Sequence, residues 1–400
     1  MALTGLARDT IARRLQHLQS VRDRVVIDAD THPSSPALYS DALRRRLAAD
    51  PNYFHGRPIS GEELLRDMDH AGVDMALCWQ NPAAITYTDD PRENFAALRA
   101  ANVAIAELAQ RNPTRVIPAG WTDPKALGED QAAQLVQLCV EEWGFRIVKM
   151  NPAQNRFPID SPVVLRMVDR IVALGAVPAF HFGADTAFTP AEGLRTVALR
   201  HPEWPVIGVH MGGGGPAYVE GEPLYQAARA LGLSCPNIFF VLSAKRDTHM
   251  ESDLVTYRLA GPPFAHNIAV ASDAPYGRIS WNFGGFRAMF ATLRDGAAHG
   301  DPRLRANPGL FDNAAVHDFM GRNLADLVIR TDLRLLRSPA AAEHEVAAGE
   351  AHADGDQGEG DGEQDSTEGG EHLEVAGFAK VVEQHCHGAG VGADQEDCRG

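Results

Sequence analysis

RVVIDADTH, residues 24–32, carries three apolar residues, Val25, Val26 and Ile27, into a polar rim of Asp28, Asp30 and His32. Seven later stretches repeat that form: DMALCWQN (74–81), RVIPAGWT (115–122), FRIVKMN (145–151), AVPAFHFG (176–183), PVIGVHMG (205–212), NIFFVLS (237–243) and NIAVASDAP (267–275). Most are near-continuous apolar runs, not strict alternations, which predicts parallel strands covered on both faces. Helical patterns fill the intervals at 61–71, 91–111, 127–143, 161–174, 190–200 and 224–231. Asp, Ser or Thr near their starts and Gly or Pro near their ends supply the boundaries. Eight such alternations predict a (β/α)8 TIM barrel, an α/β fold. A doubly wound open sheet is the alternative, but no strand leads into G-x-G-x-x-G, so a dinucleotide site is not indicated.

The rhythm breaks once. Residues 33–60 are too long for an ordinary βα loop and are rich in Pro, Arg and aromatics, which predicts a small cap insertion after strand 1, with a short helix at 41–49. The barrel is assigned to residues 1–338. Residues 345–371 consist almost wholly of small and acidic residues and cannot offset their ordering entropy by burial, so residues 339–400 are expected to form a disordered acidic tail. His385, Cys386 and His387 within it make a poor metal site in so loose a context.

Of the net charge of −16, residues 338–400 hold −14, with 16 Asp/Glu against Lys380 and Arg399. The remainder is nearly neutral, so there is no basic footprint for nucleic acid. No apolar run approaches the roughly 18 residues of a membrane span. The opening residues, with no apolar core, read as a leading amphipathic helix and not as a secretory signal. Five scattered cysteines without a C-x-x-C pair fit a reducing compartment, and a cytoplasmic location is expected. A small-molecule substrate is the expected partner; homodimerisation stays open.

The chemistry gathers where a barrel places its active site, at the C-terminal ends of the strands. In chain order these ends hold Asp28, Asp30 and His32; Trp79 and Gln80; Trp121 and Asp123; Lys149 and Asn151; His181; His210; Ser243, Lys245 and Arg246; and Asp273. A lone histidine after an apolar run is more often a satisfied core residue, and a lone Asp there a helix cap. Imidazoles and carboxylates at four of eight ends instead point to N/O ligands converging on a divalent transition metal with an open position. Period-two alternation puts Asp28, Asp30 and His32 on one face of strand 1. The run Gly212–Gly215 is not a phosphate loop, since no Lys-Ser/Thr follows; it lets the backbone approach the metal pocket closely.

With these residues the chain resembles the amidohydrolase superfamily, and within it the amidohydrolase-related group that includes aminocarboxymuconate-semialdehyde decarboxylase and the resorcylate-type decarboxylases. The resemblance covers roughly residues 24–330. It rests on IDADTHP (27–33), VKMNP (148–152), FHFGAD (180–185), VHMGGG (209–214) and ASDAP (271–275). It implies Asp30, His32, His181 and Asp273 as metal ligands, with His210 as the acid–base residue or a ligand to a second ion. The family's first-strand pattern is Asp-x-His-x-His. Asp30 therefore stands in place of a histidine, which moves preference from the family's common Zn²⁺ toward Fe²⁺ or Mn²⁺. Lys149 lies where binuclear members carry a carboxylated, metal-bridging lysine; the alternative is an ion pair with Asp273 or Asp123.

The implied activity is metal-dependent hydrolysis of an amide, ester or thioester by an activated water, with Asp273, His210 and Lys149 catalytic. Non-oxidative decarboxylation of an aromatic or unsaturated acid is the alternative, and a catalytically inactive binding scaffold a second. Arg57, Lys245 and Arg246 are candidates to clamp an acidic substrate, and Asn151 to bind it. Trp79, Trp121, Tyr276 and Trp281 are candidates to wall its pocket, with packing on the barrel as the other reading of Trp281.

Overall fold

The computed structural model describes residues 3–50, 57–183, 187–214, 222–296 and 300–336, and each of the eight apolar runs contains a strand. The strands are β1 (Ile27–Thr31), β2 (Met75–Cys78), β3 (Val116–Pro118), β4 (Gly120–Trp121), β5 (Ile147–Met150), β6 (Val177–His181), β7 (Val206–Val209), β8 (Ile238–Leu242) and β9 (Ile268–Val270). All pairings are parallel, β1 to β3 in one ladder and β4 to β9 in the other. The barrel closes where Thr31 bridges Ala274 and the His32 N–H donates to the Ala274 carbonyl at 2.7 Å.

The third run differs from expectation by splitting into β3 and β4 at Ala119. The ladder survives the break because the Ala119 N–H still donates to the Cys78 carbonyl at 2.9 Å. On the far side, the helix Pro91–Arg111 lends the Asn102 carboxamide, which donates to the Trp121 carbonyl and accepts from the Trp121 N–H, both at 2.9 Å. A side chain thus supplies two hydrogen bonds that a backbone partner would otherwise make.

The predicted helices at 61–71, 91–111, 161–174, 190–200 and 224–231 appear with boundaries shifted by at most a few residues. The stretch 127–143 divides into Pro124–Leu127, Glu129–Gln137 and a wide turn over Leu138–Glu142, because Gly128 takes φ 74° between the first two. The helix Asp41–Ala49 and the leading helix Gly5–Val21 are present. The latter packs on the closing helix Asn323–Leu336, joined by a buried Arg14–Asp332 ion pair at 2.7 Å. No helix among the described residues is long and apolar enough to cross a membrane. Trp281 is 68% exposed on the helix Ile279–Arg294, its ring beneath the Arg278 guanidinium, and it is not among the residues lining the cavity that holds His181, His210 and Asp273. The expected tail, with His385, Cys386 and His387, and the middle of the expected cap, 51–56, lie outside the described residues.

Candidate metal and substrate site

Asp30 sits at the centre of the barrel mouth, fully buried on β1. Its Oδ1 accepts the Trp79 indole N–H at 2.9 Å and lies 3.5 Å from Lys149 Nζ. Its Oδ2 accepts the Ser243 hydroxyl at 2.9 Å, with His210 Nδ1 3.8 Å away. Burial opposes charge on Asp30, but Lys149, His32 and His210 outweigh it and hold the carboxyl well below the usual carboxylate range.

Two residues along β1, His32 Nδ1 donates to the Gln80 carbonyl at 2.9 Å, since that oxygen can only accept. In the neutral ring Nε2 then carries a lone pair, and it faces Asp30 Oδ1 at 3.2 Å and Asp273 Oδ1 at 3.5 Å. Three acceptors turned on one another are relieved by a proton or a metal ion among them. Burial and Lys149 resist charge on His32, yet bonding to Asp273 and Asp30 prevails and raises its pKa, the response of a ring drawing in a proton where a metal would serve. Ligands about 2.1 Å from an ion at right angles lie about 3 Å apart, so Asp30, His32 and Asp273 fit one divalent cation. They are the one group of ligating side chains with all atoms within 4.8 Å among the described residues.

His181 and His210 stand outside that triad. They line the same cavity, with ring centroids 4.6 Å apart. Burial is the main cause that lowers the pKa of both, well below the usual value for His181, where His210 and Lys149 add to it. For His210 the carboxylates of Asp273 and Asp30 offset burial only in part. Both rings therefore keep a lone pair at neutral pH.

Strain collects on the same rim. His210, Met211, Ala244 and Asp273 have φ of 78°, 46°, 49° and 58°, a region costly for residues with a Cβ. At Gly213 a Cβ would stand 2.5 Å from Lys245 Cγ and 2.7 Å from the Ala244 carbonyl oxygen, so the tight approach there is to the exit of β8, while Gly214 is the glycine that lines the cavity.

The cavity measures about 340 Å³, and Trp121, Lys149, Asn151 and Tyr276 line it with the histidines and Asp273. Other expectations need correction. Trp79 is fully buried and lies under Asp30 and Lys149, its ring 3.9 Å from the ammonium, where it braces the site and does not wall it. Lys149 pairs with Asp30, not Asp273 or Asp123; Asp123 caps the helix Pro124–Leu127 and meets Asn155. Lys245 is buried against Asp253 at 2.5 Å and donates to the Met211 carbonyl, so it tethers β8 to its following helix and is no substrate clamp. Arg246 is exposed at the start of that helix, and Arg57 lies near Tyr39; neither lines the cavity. Sequence reasoning gave no role to Ser243, Gln80 or Ser272, although Ser243 and Gln80 stood at noted strand ends. Ser272 donates through both its N–H (2.9 Å) and its hydroxyl (2.5 Å) to Asp28 beneath Asp30.

The model of the amidohydrolase family matches residues 27–277. Among curated proteins none matches the chain. Similar solved structures include a 2,6-dihydroxybenzoate decarboxylase from Rhizobium, 17% identical at TM-score 0.50, covering 77% of this chain and 99% of its own. A 5-carboxyvanillate decarboxylase from Sphingomonas paucimobilis is 17% identical at TM-score 0.51, covering 76% and 99%. Another from Novosphingobium aromaticivorans, complexed with manganese and 4-hydroxy-3-methoxy-5-nitrobenzoic acid, is 14% identical at TM-score 0.53, covering 77% and 96%. At such identity these likenesses concern the fold. Matched over more than half its length by the family model, the chain belongs to the amidohydrolase family.

Proposed function

We propose that this chain is a metal-dependent, non-oxidative decarboxylase of an aromatic or unsaturated carboxylic acid, in preference to the hydrolase first expected. The observation that carries the reading is Lys149. From the sequence, hydrolysis leads on two counts: this lysine stands where binuclear members carry a metal-bridging carbamate, and no dedicated carboxylate clamp is legible. The Lys149 side chain lies against the Asp30 carboxylate and the face of Trp79, surroundings that suit an ammonium. A buried cation beside one metal triad, in a cavity walled by Trp121 and Tyr276, suits a planar substrate that presents a carboxylate. The names borne by the similar structures support the same substrate class.

Asp30, His32 and Asp273 would hold the metal, with His181 available from the facing wall. Bound there, a divalent cation supplies positive charge for the substrate carboxylate and a neighbouring oxygen. Lys149 adds a fixed charge that draws the carboxylate in, and Trp121 and Tyr276 hold the ring plane. Asp273, 13% exposed and facing the cavity, is placed to pass a proton to the carbon that loses its carboxylate. The electrons of the broken C–C bond remain on that carbon and take up the proton, so carboxylate plus one proton gives arene plus CO₂.

The test incubates the metal-loaded full chain with 2,6-dihydroxybenzoate, 5-carboxyvanillate and an aryl ester panel, following CO₂ and released acid together. One CO₂ per acid consumed is expected. Ester or amide cleavage with no CO₂ from any acid would return the hydrolase reading.

A further inference from the structure

Ser243 links two residues that the site depends on, and its hydrogen bonds have only one consistent direction. Its hydroxyl lies 2.9 Å from Asp30 Oδ2 and 2.8 Å from His210 Nδ1, with serine and aspartate fully buried. Asp30 has an ammonium and an indole N–H on its other oxygen, so it is a carboxylate and can only accept. The single Ser243 proton therefore points at Asp30. The Ser243 oxygen must then receive a proton from His210, which places the histidine's proton on Nδ1.

We propose that Ser243 is a positioning residue that locks His210 in the Nδ1–H form, so that His210 presents an unprotonated Nε2 to the cavity and acts as an acceptor. Its partner is a substrate O–H or N–H group, such as a hydroxyl on the ring beside the departing carboxylate. The relay His210 to Ser243 to Asp30 joins the exits of the neighbouring strands β7 and β8 to β1, at the far end of the chain. His210 then does not carry the proton delivered to carbon, which leaves that step to Asp273. The choice of substrate group rests on the decarboxylase reading; the position of the proton does not.

The test is ¹⁵N NMR of the histidine-labelled full chain, kept diamagnetic with Zn²⁺. Wild type should show His210 protonated at Nδ1 and bare at Nε2. Ser243→Ala should shift His210 toward the Nε2–H form, and Ser243→Thr, which keeps the hydroxyl, should restore it. In turnover of 2,6-dihydroxybenzoate, Ser243→Ala should lose about 10²-fold in kcat/KM, the scale of one acid–base group, and Ser243→Thr should recover most of it. Nε2–H in wild type overturns the proposal, and so does an Nδ1–H signal unmoved in Ser243→Ala. The wild-type spectrum decides the proton's position even if Ser243→Ala fails to fold. An Nδ1–H wild type that shifts in Ser243→Ala but decarboxylates nothing keeps the relay and refutes the decarboxylase reading.

Discussion

Asp28 shows how a single buried carboxyl registers the pH of the whole fold. Burial pushes its pKa up to about 7, against the bonds donated by Ser272 and the Asp30 N–H. In the unfolded chain it ionises near the usual value of about 3.9. Between those values the native state holds a proton that the unfolded state has lost, so stability falls as pH rises, by up to about 1.4 kcal/mol per pH unit. Asp28→Asn keeps an acceptor for the Ser272 N–H and has no such titration. Its stability relative to wild type should climb from pH 4 to 7 and then level off, read from denaturant midpoints in the presence of chelator. Parallel curves for the two proteins would contradict this. Trp79 makes a second case. Trp79→Phe keeps a ring beneath Lys149 but removes the N–H bound to Asp30 at 2.9 Å. A lost hydrogen bond to a buried charge is worth about 1.5–3 kcal/mol, so the melting temperature should drop by several degrees. An unchanged melting temperature would show that Asp30 does not rely on the indole. Neither role was legible in the sequence: Trp79 ends an apolar strand and reads equally well as a pocket wall, until the Asp30 oxygen is seen against its edge.

At the scale of elements, the apolar runs sufficed to locate the strands and most helix boundaries, because each is a local pattern of burial. The break at Ala119 escaped notice, since VIPAGW looks like one continuous strand and what fills the gap comes from a helix. Asn102 lies within Pro91–Arg111 and is fully buried, an unusual place for a carboxamide in a helix facing a sheet. That oddity was the available signal. Asn102→Leu leaves the Trp121 N–H and carbonyl without their 2.9 Å partners while keeping the volume. Two orphaned buried groups at about 1–3 kcal/mol each should weaken the fold severely. Because Trp121 lines the cavity, substrate KM should rise as well in whatever fraction folds. A variant with wild-type denaturation and KM would show that β4 needs no such brace. The cations misread as clamps teach the complementary lesson. Lys245 and Arg246 are adjacent in sequence, yet one is buried against Asp253 and the other is exposed. The deciding partner is Asp253 in the very next helix, and a strand's local burial pattern carries no sign of it.

For the molecule as a whole, ligands from the first and last strands place the cation where the barrel closes. Asp30 and His32 come from β1 and its exit, and Asp273 follows β9, next to the Thr31–Ala274 bridge that completes the ring. An ion held there ties the two ends of the barrel together and relieves three mutually facing acceptors. It should therefore stabilise the native state by RT ln(1 + [M]/Kd), about 2.7 kcal/mol when free metal is a hundred times Kd. Thermal unfolding of chelator-stripped protein should shift upward on adding Mn²⁺ or Zn²⁺ and fall back with excess chelator. In His32→Ala the shift should vanish, because one ligand is gone and Asp30 and Asp273 remain. In Asp273→Asn, nearly isosteric, it should shrink without a large change in the stability of the stripped protein. His181→Ala separates the triad from the wider cluster: the shift should persist, reduced, if His181 joins only from the facing wall. An equal shift in wild type and His32→Ala would mean that the metal binds elsewhere, and the reading of the barrel mouth as a cation site would fail with it.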